Sequence, residues 1–454
     1  MYILGISAFY HDSAVSLLKD GNIVYAAQEE RFTRIKHDSS FPVNSIKECL
    51  NSCKISFDEI EYIGFYEKPF KKFFRLLKTF TRNAPFGFES FDSAMQEWLT
   101  NKIFLKRNIV KEVYKLQKLL ACKSKLDKKK IAKKILFSEH HESHAASCFY
   151  PSPFKDSAIL TIDGVGEDST TSIAYGKDNK IDFLKEIHFP NSVGLLYSAF
   201  TYYLGFRVNS GEYKVMGLAP YGKPIYKDLI LNNLIDIKKD GSFKMNMKFF
   251  DYHYGFKMIN SNFIKLFGRE KRNPESRMDE FHMDVARSIQ EVIEEIVLKL
   301  CRSAKKLTKC ENLVMAGGVA LNCVANGKIL DQKIFKDIWI QPASGDAGGS
   351  LGVALSIYYK HLNFERTTKG NEDSMFGGYL GSYYENKEVE NFLNKIDAKY
   401  YYLETDNLIK EAAKLINKGK IVGWHNGKME FGPRSLGARS ILADPRDINM
   451  QTKL

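Results

Sequence analysis

The sequence predicts an α/β fold with two similar lobes that enclose a nucleotide-binding cleft. Two stretches, each of three short strands joined by tight turns, carry this prediction, one within residues 2–30 and one within 157–187. An internal duplication is the simplest explanation of their shared pattern. Three glycine-rich turns accompany them, in "IDGVGEDST", "MAGGVALN" and "SGDAGGSLG". The Rossmann G-x-G-x-x-G and Walker A patterns are both absent, which disfavours those folds.

The other segments follow the alternation expected of an α/β chain. The pattern predicts helical structure over 44–136 and again over 277–307. A buried strand that enters a glycine turn is predicted over 312–322, and a loop that opens a helix over 341–361. A helix near 406–418 is followed by a strand. We therefore expect a two-lobed domain over 1–362 with inserted helices at about 66–136, a linker over 363–375, and a C-terminal domain over 376–454. That last part is short for an α/β domain, so we expect the chain to be a fragment.

The composition disfavours some classes of protein and favours others. No run of about 18 apolar residues predicts a membrane-spanning helix, and the N-terminus lacks the pattern of a signal peptide. The seven cysteines are scattered without a C-x-x-C pair, which argues against a zinc ribbon and favours a reducing cytoplasm. The formal charge of +13 favours anionic ligands.

Part of that charge lies in "KPFKKFFRLLKTFTR" (68–82), which has six basic residues and no acidic one. One interpretation is an amphipathic helix that binds a membrane surface or a polyanion. The other is a solvated helix whose Phe and Leu face packs on its own domain. The second arrangement is the more common one, and we expect it here.

The stretch "SEHHESHAASCF" (138–149) contains a candidate metal site. On a helix, His140 and His144 lie one turn apart, a spacing that suits two nitrogen ligands of one ion. His141 points elsewhere. Asp163 and Asp346, each at a strand end followed by glycines, are the candidate carboxylates. This donor set favours iron, manganese or zinc over copper(I). A hydrogen-bonded core pair of histidines is the alternative, and the absence of H-E-x-x-H disfavours a metalloprotease.

Two further stretches carry candidate chemistry. His11 precedes Asp12 after the first strand, where it would face the cleft, and histidine is suited to proton transfer near neutral pH. The alternative is a surface or core histidine with no role in catalysis. The loop "KMEFGPRSLGARSIL" carries Lys428, Arg434 and Arg439, which suit a phosphate or carboxylate-like anion. Structural salt bridges are the alternative there.

Several stretches together resemble one family, the NodU/CmcH-type O-carbamoyltransferases. They are "HDSA", "EERFTRIKHDSSFP", "HHESHAASCFYPSPF", "TIDGVGE", "GEYKVMGLAPYG", "AGGVALN", "SGDAGGSLGVA" and "EFGPRSLGARSILADPR". The resemblance implies a first domain of the two-lobed actin/Hsp70-like (ASKHA) class, similar to threonylcarbamoyl-transfer enzymes, followed by the start of a YrdC-like α/β domain. It also implies that carbamoyl phosphate and ATP form carbamoyl-adenylate. The carbamoyl group then passes to a hydroxyl of a sugar, antibiotic or Nod-factor-like acceptor.

The resemblance also implies roles for individual residues. His11 matches the family's catalytic histidine, and His140, His144, Asp163 and Asp346 match its metal ligands, with Fe(2+) the usual ion and zinc or manganese the alternatives. The nucleotide-binding set is Lys36, Asp163, Gly164, Gly194, Gly317, Gly318, Asn322 and Asp346. The set for carbamoyl phosphate or the adenylate is Lys428, Arg434 and Arg439. Relatives often carry arginine in place of Lys428, which weakens that one match.

The expected partners are ATP, carbamoyl phosphate and a small-molecule acceptor with a free hydroxyl, with no nucleic acid. A homodimer remains open. Two other functions also remain open. One is a tRNA threonylcarbamoyl transferase-like enzyme, suggested by "HHESH" and the basic charge. The other is a truncated nucleotide-binding protein without turnover.

Overall fold

The first lobe is built on a five-stranded mixed sheet. A computed structural model describes residues 1–120, 126–368, 370 and 372–454. The strands of this sheet are β1 (Tyr2–Ser7), β2 (Ala14–Lys19), β3 (Asn22–Gln28), β4 (Ile60–Phe65) and β5 (Ile135–Phe137), in the order β3-β2-β1-β4-β5. The first three strands are antiparallel neighbours, whereas β4 runs parallel to β1 and β5 parallel to β4.

The second lobe repeats this topology. Its sheet contains β6 (Asp156–Ile162), β7 (Ser169–Lys177), β8 (Lys180–His188), β11 (Asn312–Ala316) and β12 (Asp337–Ile340), in the order β12-β11-β6-β7-β8, with β9 (Ile235–Ile237) and β10 (Phe243–Met245) in a separate hairpin. Here too the first three strands are antiparallel and the last two parallel. Each lobe has its own apolar core. The predicted two-lobed α/β fold is therefore confirmed.

The helices connect and cover these sheets. They are α1 (Glu30–Thr33), α2 (Val43–Cys53), α3 (Pro69–Asn83), α4 (Phe88–Glu97), α5 (Leu105–Leu119), α6 (Lys128–Lys134), α7 (His140–Phe149), α8 (Val193–Tyr203), α9 (Glu212–Leu218), α10 (Lys227–Asn233), α11 (Ser261–Phe267), α12 (Glu280–Thr308), α13 (Cys323–Asp331), α14 (Asp346–Ser356), α15 (Asn386–Lys395), α16 (Thr405–Asn417) and α17 (Met450–Lys453). Single turns of π-helix follow α4 and α14, at Trp98–Lys102 and Ile357–His361. In the described part of the chain, none of these helices has the length and apolar character needed to cross a membrane.

Two buried helices, α7 and α14, lie side by side between the sheets, with α14 against β1 and α7 against β6 and β11. Glycines allow this close packing. A Cβ on Gly352 of α14 would lie 1.8 Å from the backbone oxygen of Ser143 on α7, and one on Gly5 of β1 would lie 1.8 Å from that of Ser350. Because α7 starts at His140 and α14 at Asp346, this contact also sets the distance between candidate ligands.

Most predicted elements are confirmed, including the helix expected over 277–307 and the helix expected near 406–418. The expectation of a helical stretch over 44–136 was wrong at β4. The run "IEYIGF" is short and apolar, and periodicity alone does not distinguish such a run from part of a buried helix. Parallel pairing with β1, which is distant in sequence, makes it a strand.

The segment predicted as a linker packs against the first lobe. The Arg366 guanidinium donates to the backbone oxygens of Phe149, Tyr150, Ser152 and Phe154 at 2.8–3.0 Å. Beyond it, α15 and α16 precede the antiparallel pair β13 (Val422–His425) and β14 (Arg439–Leu442). The domain boundaries themselves stay a prediction.

Candidate active site between the lobes

Four predicted ligands converge at the junction of the lobes. The Nε2 atoms of His140 and His144 are 3.0 Å apart. Asp163 Oδ2 lies 3.2 Å from the first of these nitrogens and 3.9 Å from the second, and Asp346 Oδ1 lies 3.7 Å from both. Ligand atoms about 2.1 Å from one ion lie roughly 3.0–3.4 Å apart in octahedral or tetrahedral geometry. Two of these distances, 3.0 and 3.2 Å, fall within that range, and the other three, 3.7–3.9 Å, lie just beyond it, so a small movement of the side chains would bring all four ligands around one ion.

The electrostatics of this cluster also suit a cation. Burial by itself lowers the pKa of His140, but the carboxylates of Asp346 and Asp163 raise it to about 9. Burial raises the pKa of Asp163, and the hydrogen bond with His140 and the neighbouring imidazoles bring it well below its usual range. The two carboxylates thus need a positive charge between the rings, which a proton or a metal ion can supply.

His141 has a different environment. Its Nδ1 lies 2.7 Å from Thr161 Oγ1, and its ring stands apart from the four converging ligand atoms. Burial and the neighbouring His140 and His144 lower its pKa to about 3, so the ring is neutral. This position fits the prediction that His141 points away from the candidate ion.

A cavity of about 520 Å³ opens directly above the cluster. Nine of the predicted site residues line it: His11, Lys36, Asp163, Gly164, Gly194, Gly318, Asn322, Asp346 and Arg434. His140 and His144 lie behind Asp163 and Asp346 at its base. Residues far apart in sequence, from both lobes and from the segment after residue 375, thus share one cleft.

Glycines allow the backbone to close in around Asp163. A Cβ on Gly194 would lie 2.6 Å from the Asp163 backbone oxygen. Gly317 has φ +92° and its Cβ would lie 2.3 Å from the Ile162 oxygen, so both the conformation and the space exclude a side chain. The next residue, Gly318, donates its N–H to Asp163 Oδ1 at 2.9 Å and so fixes that carboxylate.

His11 lies on the opposite side of Asp346 from the helical histidines. Its Nδ1 is 2.8 Å from Asp12 Oδ2 and its Nε2 is 3.6 Å from Asp346 Oδ2. The other Asp12 oxygen is 2.8 Å from Nδ1 of His37. Burial lowers the pKa of His11, whereas Asp346 and Asp12 raise it to about 10. Because Nδ1 hydrogen-bonds Asp12, Nε2 is the ring nitrogen that faces Asp346.

Two cations and an aromatic ring form one side of the cavity. The Lys36 ammonium is 5.3 Å from the centre of the Tyr213 ring, and the Arg434 guanidinium is 5.9 Å from it. Arg434 also donates to the Leu321 backbone oxygen at 3.3 Å. This side of the cavity is therefore positively charged and partly apolar, which suits a nucleotide.

Two other predicted residues, Asn322 and Arg439, have structural contacts, and a third, Lys428, is exposed. The amide of Asn322 hydrogen-bonds Gln290 and caps α13, although the residue lines the cavity. The Arg439 guanidinium donates to four backbone oxygens, those of Asn426, Gly427, Ala438 and Ser382. Lys428 is exposed, and neither it nor Arg439 lines the cavity. Their predicted roles in binding ligands stay predictions.

Comparison with known families decides the assignment. The model described as "Carbamoyltransferase N-terminus" matches residues 2–355, and the one described as "Carbamoyltransferase C-terminus" matches residues 413–454. This chain belongs to the carbamoyltransferase family. The predicted resemblance and the predicted class of enzyme are thereby confirmed.

Relatives support the same assignment for this carbamoyltransferase. The uncharacterized protein sll1178 of Synechocystis sp. is 52% identical, over 99% of this chain and 72% of its own length. Nodulation protein NolNO of Sinorhizobium fredii is 34% identical over 97% of this chain, and NolO of Bradyrhizobium diazoefficiens 36% over 68%. The chain spans 59% of the first nodulation protein and 53% of the second.

Two solved structures are distantly similar to the carbamoyltransferase. Component A of (R)-2-hydroxyglutaryl-CoA dehydratase from Acidaminococcus fermentans is 15% identical, with a TM-score of 0.41 over 80% of this chain and 100% of its own. HypF of T. kodakarensis is 12% identical, with a TM-score of 0.36 over 79% and 47%. At these TM-scores neither contributes to the assignment.

Several residues that shape the carbamoyltransferase site were not predicted from the sequence. Asp12 holds both His11 and His37, Glu30 accepts the His37 N–H at 2.9 Å, and Tyr213 lies beside two cations. Each lies within a motif that was quoted for the family, so motif membership was the available signal. The contacts of Asp12 with His37 and of Tyr213 with Lys36 join distant positions, and no periodicity in the sequence reveals any of these contacts.

Proposed function

We propose that this carbamoyltransferase is ATP-dependent and O-specific. It would form carbamoyl-adenylate from carbamoyl phosphate and ATP, and transfer the carbamoyl group to a hydroxyl of a sugar, antibiotic or Nod-factor-like acceptor. One observation carries the proposal: four ligand atoms within 4.8 Å of one another lie at the base of a cavity that His11 also lines. The arrangement supplies an anchor for phosphate and a base for a hydroxyl in one cleft.

His140, His144, Asp163 and Asp346 would hold the metal ion, which we propose to be Fe(2+), with zinc or manganese as alternatives. The donors are two neutral nitrogens and two carboxylates, a set suited to these ions. When bound, the ion would supply positive charge to phosphate oxygens of the nucleotide. It would also neutralise Asp346 and so remove much of the interaction that raises the pKa of His11.

His11 would then act as the general base of the transfer step. Its Nε2 takes the proton of the acceptor hydroxyl, and the hydroxyl oxygen bonds to the carbamoyl carbon. The bond from that carbon to the AMP phosphate oxygen breaks, and AMP leaves with the electron pair. Asp12 supports this role because it fixes the ring through Nδ1 at 2.8 Å.

The nucleotide would bind in the 520 Å³ cavity, near Lys36, Gly164, Gly194, Gly318 and Asn322, with Gly317 behind Gly318. Arg434, Arg439 and Lys428 would contribute to carbamoyl phosphate recognition. Arg434 is the one of these three that lines the cavity.

The six described cysteines are free thiols, which supports our proposal of a reducing cytoplasmic setting.

Mass spectrometry of acceptor panels tests this proposal. The chain, loaded anaerobically with Fe(2+), is incubated with ATP, carbamoyl phosphate and hydroxylated acceptors. The expected product has gained one carbamoyl group in place of a hydrogen, with AMP and pyrophosphate released from ATP and orthophosphate released from carbamoyl phosphate. A parallel reaction is supplied with carbamoyl-adenylate, which tests transfer alone. Absence of carbamoylated product in both reactions across the panel would contradict the proposal.

A further inference from the structure

Helix α3 of the insertion exposes aromatic and basic side chains on one ridge. Phe70, Phe74, Lys78 and Arg82 follow one another at intervals of four residues, so they lie in a continuous row along the helix. Phe70 is 58% exposed and Phe74 65%. Directly after the helix, Phe86 is 70% exposed and Phe88 63%.

The opposite face of α3 holds the helix in place. Phe73 packs on Trp98 with ring centres 5.5 Å apart, and Phe80 stacks on Phe91 at 4.0 Å. Arg75 is seven residues before Arg82 and therefore lies beside it on the flank of the helix, where its guanidinium donates to the Gly166 oxygen of the second lobe at 2.8 Å. The expectation that this helix packs its apolar residues on its own domain is therefore met by one face only.

The two cations on the exposed ridge are uncompensated. Lys78 and Arg82 form no ion pair with any residue in the described part of the chain, and residues 68–82 contain no acid. Lys68 and Lys71 differ, since both approach Glu139, at 3.3 and 2.6 Å. Two lone cations thus follow two exposed phenylalanines along one row of the helix, and we name this surface the α3 ridge: Phe70, Phe74, Lys78 and Arg82. Phe86 and Phe88 lie beyond the end of the helix and are not part of the ridge, since Phe88 approaches Phe80 of the packed face at 6.4 Å between ring centres.

We infer that the α3 ridge docks on an anionic lipid membrane surface. Phenylalanines of an interfacial helix enter the boundary of the acyl chains, while lysine and arginine bind the headgroups. The cores of protein interfaces are enriched in phenylalanine and arginine but depleted of lysine, so Lys78 is the residue that favours a lipid surface over a protein partner. A nucleic acid also fits less well, since two free cations neutralise few phosphates and two exposed phenylalanines form half of the ridge. This inference does not depend on the proposed chemistry.

Co-sedimentation of the full chain with vesicles tests the inference. One set is phosphatidylcholine alone, and the other contains about 30% phosphatidylserine, which provides the negative surface potential. The chain is expected to bind the anionic set, and binding should weaken when salt rises from about 0.05 to 0.5 M. Because each cation contributes about fivefold, Lys78→Gln with Arg82→Gln should weaken binding about 25-fold. Phe70→Ser with Phe74→Ser should weaken it at least about tenfold.

Helix α15 supplies matched controls, because Phe392 is 59% exposed and Lys387 and Lys395 are exposed too. Phe392→Ser, and Lys387→Gln with Lys395→Gln, should leave vesicle binding unchanged. Equal loss in control and ridge variants, or no binding to anionic vesicles, would overturn the inference. The same ridge variants are tested with tRNA. If they abolish tRNA binding while vesicles never bind, the surface recognises a polyanion and the membrane assignment is wrong.

Discussion

Replacing Gly352 with alanine should disrupt the metal site from a distance. A Cβ at this position would lie 1.8 Å from the Ser143 oxygen, and real Cβ contacts are not found below 3.0 Å, so α7 and α14 must separate by about 1.2 Å. The ligands His140 and His144 lie on one helix and Asp346 on the other. Metal sites tolerate about 0.2 Å in ligand distances, so the displacement should weaken Mn(2+) binding at least about tenfold. Overpacking should also lower the free energy of unfolding by about 1–3 kcal/mol.

The assay is isothermal titration with Mn(2+) on Gly352→Ala, alongside thermal unfolding. Gly327→Ala is the matched control, because it also lies in a helix and a Cβ there would meet nothing within 4 Å. The control should bind Mn(2+) as the parent chain does and unfold at the same or a higher temperature. Parental Mn(2+) affinity in Gly352→Ala would refute the reasoning that helix packing sets the ligand spacing.

Three further predictions concern single side chains. His11→Asn should lower carbamoyl transfer about 10²–10⁴-fold with metal stoichiometry retained, and parental rates would exclude a base role. Arg366→Ala should reduce the free energy of unfolding by about 2–4 kcal/mol in urea, since the carbonyl groups of Tyr150, Ser152 and Phe154 lose this donor, whereas that of Phe149 still accepts from Ser152; a change below about 0.5 kcal/mol would contradict this. Hydrogen bonds from Arg269 and His282 lower the pKa of Asp279, the N-cap of α12, from 3.8 to about 2. Its stabilisation is therefore complete above about pH 4 and lost as pH falls through 2. Asp279→Asn keeps an N-cap acceptor but loses the charge of the exposed pair with Arg269, so it should cost about 0.5–1 kcal/mol at pH 7. The difference from the parent should shrink below pH 4, which urea denaturation at pH 7 and at about pH 2 would show.

Local pattern was sufficient for much of the fold. The strand triplets and the long α12 have clear periodicity, and the spacing of His140 and His144 follows from helix geometry alone. Strand β4 was missed because only its pairing with β1, across 55 residues or more, distinguishes it from a helical turn. Its short apolar run offered no local signal of that pairing.

Some residues of the candidate site could likewise be predicted from local pattern, and others could not. Asp163 and Asp346 could be predicted as ligands because each follows a strand or opens a helix next to glycines. The contacts of Arg439 with the turn at Asn426 could not be predicted. In sequence, an arginine in an anion-binding loop is indistinguishable from one that donates to backbone carbonyl groups. The exposed side of α3 needed the packing of Phe73 and Phe80 to be known first.

Metal stoichiometry of ligand variants tests the central claim most directly. Anaerobic titration with Fe(2+) should show one ion per chain in the parent and none in His144→Ala or Asp346→Asn. His253→Ala, which removes a histidine that is not one of the four converging ligands, should still bind one ion. One ion bound with parental affinity in both ligand variants would contradict the claim that these residues form a metal site.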